Sequence, residues 1–187
     1  MFEHVVVLLS FVYAIALTHL LSSATELIWS RDRVRPSGRQ ILWMFNALLG
    51  LLLNWTGMFY ESQRSHWEVA DVAISFVAAL VQYFTCSLIS MRVKEEGVIE
   101  MPAFFERQRP FIFAAFLALT AFAMFQNWWN RDLMQNPNDL IYVEITIFPM
   151  LVFIALAGWA RPVWLQWLAG IGFAALIGYF LFTYALS

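Results

Sequence analysis

The 187-residue sequence predicts an all-α polytopic membrane protein, a bundle of six transmembrane helices with short loops and both termini on the non-cytoplasmic side. Three observations carry this. Six apolar runs of about the ~20 residues that cross ~30 Å of hydrocarbon as a helix follow one another, at 5–29, 41–60, 72–90, 111–129, 140–159 and 163–186. The eleven Lys and Arg residues are unequally shared between the two sets of connections. Tryptophans cluster at the run ends, the headgroup level that their amphipathic rings prefer.

Composition agrees, because 61% apolar, 18% aromatic and 13% charged residues leave too little polar surface for a soluble domain of this length. The whole chain, 1–187, reads as one helical membrane domain. Its net charge of −2 is divided between two membrane faces, and no basic tract suits nucleic acid. The bilayer is the partner that composition itself demands.

The first run, 5–29, ends in a turn carrying Arg31, Arg33, Arg35 and Arg39. Its apolar start lacks a basic n-region and an A-x-A site, so it reads as a retained helix. The second, 41–60, follows Arg35-Pro36; the third, 72–90, follows Asp71 and leads into Arg92, Lys94, Arg107 and Arg109. The fourth, 111–129, follows Arg109-Pro110, the fifth, 140–159, follows the turn signal Asn136-Pro137-Asn138, and the sixth, 163–186, follows Arg161-Pro162. Proline suits the first helical position, which needs no N–H partner. Connections one, three and five hold nine basic residues against Arg64 and Arg131 in the others, so they should be cytoplasmic. Trp29, Trp43, Trp159, Trp164 and Trp167 then mark the inner boundary, and Trp67, Trp128 and Trp129 the outer one. In the longest connection, 91–110, a short interfacial helix is expected to start near Pro102.

Polar residues in the first three helices fall on stripes. His19, Ser22, Ser23 and Glu26 share one face of helix one by i, i+3, i+4, i+7 spacing. Asn46, Gly50, Asn54, Gly57 and Glu61 line helix two; Asp71, Ser75, Gln82 and Cys86 line helix three. Polar groups in hydrocarbon must find partners or water, so these faces should look toward one another. They then either line a hydrated path for protons or small cations, or act as hydrogen-bonding glue between helices. On the path reading, His19, Ser22, Ser23, Glu26, Asn46, Asn54, Asp71 and Gln82 form the wall, and Glu61, Glu68 and Glu144 its acidic outer mouth. Imidazole is the side chain best suited by type to pass protons, and His19 has Glu26 on its own face ~10 Å along the axis, which a relay would bridge through serines or water.

The sequence therefore predicts a small channel or transporter. The alternative is a non-transporting scaffold or sensor whose loop 91–110 engages a partner, with the stripes as satisfied glue. An enzyme is less expected, since no Walker, G-x-S-x-G, H-E-x-x-H or Cys-x-x-Cys pattern occurs. No cofactor or metal is expected: bis-histidine haem would need a second intramembrane histidine beside His19, and retinal a lysine inside a helix, whereas Lys94 lies in a loop. Gly170, Ala174 and Gly178 at four-residue spacing suggest a packing face toward helix five or another protomer of a homo-oligomer. The opening Phe2-Glu3, the segment Ala16-Leu17-Thr18-His19-Leu20-Leu21 and the arginine-rich turn resemble a group of uncharacterised bacterial multispanning proteins. Over the first two helices this resemblance implies a bacterial inner membrane and no particular activity.

Overall fold

The computed structural model describes residues 2–60, 67–93, 97–131 and 137–184. Six long helices appear in order, α1 (Phe2–Trp29), α2 (Gly38–Tyr60), α3 (Val69–Ile89), α4 (Met101–Trp129), α5 (Pro137–Trp159) and α6 (Val163–Tyr184). Between α1 and α2 lie a 3-10 turn, η1 (Arg31–Arg33), and a two-residue strand, β1 (Val34–Arg35); β2 (Ile99–Glu100) precedes α4. Among the described residues, five helices are long and apolar enough to cross a membrane, and α5 contributes an apolar stretch, Ile147–Trp159. The chain is thus a polytopic helical membrane bundle. A helix satisfies most of its backbone internally, as hydrocarbon requires.

The helices form a ring in which α3 packs on α4, α4 on α5, α5 on α6, and α6 on α2, which closes back on α3. α1 lies outside the ring, packed more extensively on α3 than on α2. Small residues permit the closest approaches. A Cβ on Gly170 would stand 2.6 Å from Leu42 Cδ2 of α2, and one on Gly172 2.7 Å from the ring of Phe153 on α5. The Gly170 face therefore joins α6 to α2; a Cβ on Gly178, further out, would meet nothing within 4 Å.

Two local expectations change. The third connection is shorter than 91–110, because α4 begins at Met101 and runs through Pro110 without a break. Met101 and Phe105 are buried there, so the interfacial turn is anchored by its apolar side and fuses with the span. The missing Pro110 N–H is a single lost rung, tolerated where the surroundings hold both sides of it. The tryptophan belt also divides. Trp29, Trp159 and Trp164 are exposed to the lipid side as anchors, whereas Trp43 and Trp67 are buried. Trp43 is the centre of an aromatic cluster with Phe113, Phe116 and Phe173, at centroid distances of 4.7, 5.0 and 5.4 Å.

Candidate functional site

On α1, His19, Ser23 and Glu26 face the end of α3 and the extended segment that leaves it. Tyr83 Oη lies 3.3 Å from His19 Nε2, with the two rings edge-on. Ser90 Oγ donates to the carbonyl oxygens of Cys86 at 2.7 Å and His19 at 3.3 Å. Ser23 Oγ accepts the Met91 N–H at 3.0 Å and donates to the Met91 carbonyl at 2.9 Å. Glu26 Oε2 accepts the Val93 N–H at 3.4 Å. The physical reason is plain: α3 stops at Ile89 with the Ser90 N–H as its last rung, so the backbone at Met91 and Val93 lies beyond the helix and takes partners from α1. Ser22 is exposed and lies apart from this seam.

The seam between α2 and α3 is built around Gln82, which is fully buried. Its Oε1 accepts from Asn54 Nδ2 at 2.8 Å, and its Nε2 donates to the Ala47 carbonyl and to Cys86 Sγ, both at 3.3 Å. Gln82→Leu is expected to lower unfolding free energy by about 1–2 kcal/mol, since interhelical hydrogen bonds in membranes average ~0.6 and reach ~1.7 kcal/mol. A cycle with Asn54→Leu, read by steric-trap unfolding in bicelles, should show coupling of about 1 kcal/mol. Strictly additive costs would mean the Asn54–Gln82 bond contributes nothing.

Other stripe residues turn elsewhere. Asn46 Nδ2 donates at 3.0 Å to the Gly170 carbonyl on α6. Asp71 caps α3, its Oδ2 accepting the Glu68 N–H and its Oδ1 the Trp129 indole N–H of α4, both at 2.9 Å. A carboxylate in the first helical turn also meets the positive end of the helix dipole. Glu68 is exposed at the N-cap. Glu144, on α5, has both carboxylate oxygens enclosed, with the Asn127 side chain of α4 beside them. Glu61 falls outside the described residues. The structure thus brings together His19, Ser23 and Glu26 in one place and Asn54 with Gln82 in another; Asn46 and Asp71 belong to two further seams.

A second polar cluster, at the basic end of the bundle, went unread in the sequence. Arg39 at the start of α2 bonds Glu106 Oε1 of α4 at 2.8 Å and the Gln166 Oε1 of α6, with its guanidinium 5.5 Å from the Phe105 ring centroid. Arg109 donates to the last carbonyls of α5, from Nε to Ala157 at 3.1 Å and from a terminal nitrogen to Ala160 at 2.6 Å, and lies 3.5 Å from Glu106 Oε2. Gln166 Nε2 donates to the same Ala160 carbonyl at 2.9 Å. Beside it, β1 pairs in parallel with β2, and Arg35 bridges Glu100 at 3.0 Å. Gln40 Nε2 reaches the Ile89 carbonyl at 3.3 Å, closing the end of α3. The available signals were Glu106 three residues before Arg109 and Gln166 just inside α6. Arginines counted as topology markers hid their second use as a clamp.

Among the described residues, no three His, Cys, Asp or Glu side chains converge as a metal site would require. No family model matches the chain, and neither a curated protein nor a solved structure is similar to it at a significant level.

Proposed function

We propose that the protein is a non-transporting membrane scaffold or sensor, whose helical bundle holds a rigid basic platform at the membrane surface for a partner. The observation that carries this reading is the distribution of the polar stripes: their side chains bond pairwise across the α1–α3, α2–α3, α2–α6 and α3–α4 seams. Such bonding consumes donors and acceptors that a hydrated path would offer to ions. The platform comprises η1, the β1–β2 pair and the first turns of α4, tied to the bundle through Arg39, Arg109 and Ser23. Arg92, Arg107 and Arg161 are exposed on that end, which favours an acidic partner surface. The charge bias of the connections supports a cytoplasmic position for this end, and the resemblance of the first two helices supports a bacterial inner membrane.

The second reading, proton or small-cation conduction, draws on one contact. His19, half-buried, meets the Tyr83 hydroxyl two turns from the exposed carboxylate of Glu26. Proton and potassium flux in liposomes carrying the purified protein separates the two. The scaffold reading expects flux equal to empty liposomes across pH and voltage. Flux above that level, removed by His19→Ala or Glu26→Gln in folded protein, would overturn it in favour of conduction.

A further inference from the structure

Between the halves of α1 and α2 nearest the basic end lies a groove of about 460 Å³. Leu21 and Ile28 of α1 and Ile41 and Phe45 of α2 are exposed on its walls, which face the surrounding lipid. Its lining is apolar until the end, where Arg31 stands. We infer that this groove binds one anionic glycerophospholipid of the bilayer, an acyl chain between the helices and the phosphate on Arg31.

Three features select this occupant. The first is charge. The Arg31 side chain is 82% exposed, and its partner Asp32, 3.9 Å away, is more exposed still, which leaves a weak pair and an accessible guanidinium. Neighbouring arginines are engaged within the fold, Arg35 with Glu100 and Arg39 with Glu106. A guanidinium at the headgroup level offers a fork of donors to phosphate oxygens. The second is depth. From Leu20 to Ile28 the groove runs eight residues of α1, ~12 Å at 1.5 Å per residue, against ~15 Å of hydrocarbon in one leaflet. One lipid chain has that reach, whereas a transmembrane helix would need a track of the full ~30 Å. The third is size. At about 460 Å³ the groove has the volume ordinary for a small-molecule site.

The test is native mass spectrometry of the protein released from nanodiscs of equal phosphatidylglycerol and phosphatidylcholine. Wild type should retain one phosphatidylglycerol in preference to phosphatidylcholine. Arg31→Gln should reduce that preference about fivefold, the effect of one basic residue at an anionic surface. Ala24→Phe, which puts a ring into the groove from its α1 wall, should abolish retention of either lipid. Circular dichroism and an unchanged melting temperature establish that both variants fold. Equal retention in wild type and Ala24→Phe, an unchanged preference in Arg31→Gln, or a dimer in place of a lipid adduct would overturn the inference. Ion flux has no part in this readout, so failure of the groove and failure of the scaffold reading are separate results.

Discussion

Trp43→Ala is expected to lower the unfolding free energy by about 3 kcal/mol, while Trp164→Ala should change it by less than ~0.5 kcal/mol. Trp43 is 1% exposed and packs against Phe113, Phe116 and Phe173, which tie α2 to α4 and α6. Within a bilayer, truncation returns no apolar surface to water, so the transfer part of the usual cost of large-to-small replacement is small. Lost dispersion contacts and the unfilled space remain, which places the expected loss at the lower end of the ~3–5 kcal/mol seen for Trp→Ala in cores. Trp164 is 67% exposed and faces lipid, where a smaller side chain is replaced by acyl chain. Steric-trap unfolding of both variants in bicelles is the measurement. Small and equal losses would show that Trp43 acts as an interfacial anchor and not as a core residue.

Arg109→Met should cost about 2–3 kcal/mol, and the loss should be local to the junction of α5 and α6. Methionine keeps the aliphatic length of the stem but offers no donors, so the Ala157 and Ala160 carbonyls lose charge-assisted partners at the end of α5. The side chain is only 15% exposed, so water replaces those bonds poorly. Arg39 still holds Glu106, which limits the damage to the carboxylate. Arg109→Lys should recover less than half, because an ammonium is a single point of charge and cannot span two carbonyls in the fork that guanidinium provides. Hydrogen exchange of the amides at 158–166, compared with those of α3, reports the site of the change. Unaltered exchange there, or full recovery by lysine, would remove the clamp from the account of this fold.

Legibility differed with the kind of interaction. Span positions came from length and apolarity, and over the described residues each observed helix matches its expected run to within three residues at either end, except that α4 is extended by ten residues at its start. That extension was hidden because Pro110 reads as a helix start, whereas buried Met101 and Phe105 hold the preceding turns in register. Gln82 and Asn54 were legible as polar residues needing partners, and they found each other. Asn46 was legible as a residue on the same stripe, yet it serves α6. Periodicity reports which side of a helix is polar but carries no information on which neighbour stands there. Ser23 and Glu26 were read as members of a path; their partners are backbone amides after α3, which a search for complementary side chains does not find.

By itself the sequence determined that this chain is a helical membrane protein, where its apolar spans lie and which connections carry the basic charge, because these follow from hydrocarbon thickness and the cost of placing charge within it. The tertiary structure decided the rest. It set the ring order that sends Asn46 to Gly170 and Trp43 into an aromatic core, converted Arg39 and Arg109 from markers of sidedness into a clamp, and left a groove between α1 and α2 that ends at Arg31. The physical reason is that in a membrane apolar burial does not discriminate among helix neighbours, so close packing and the satisfaction of individual polar groups choose them.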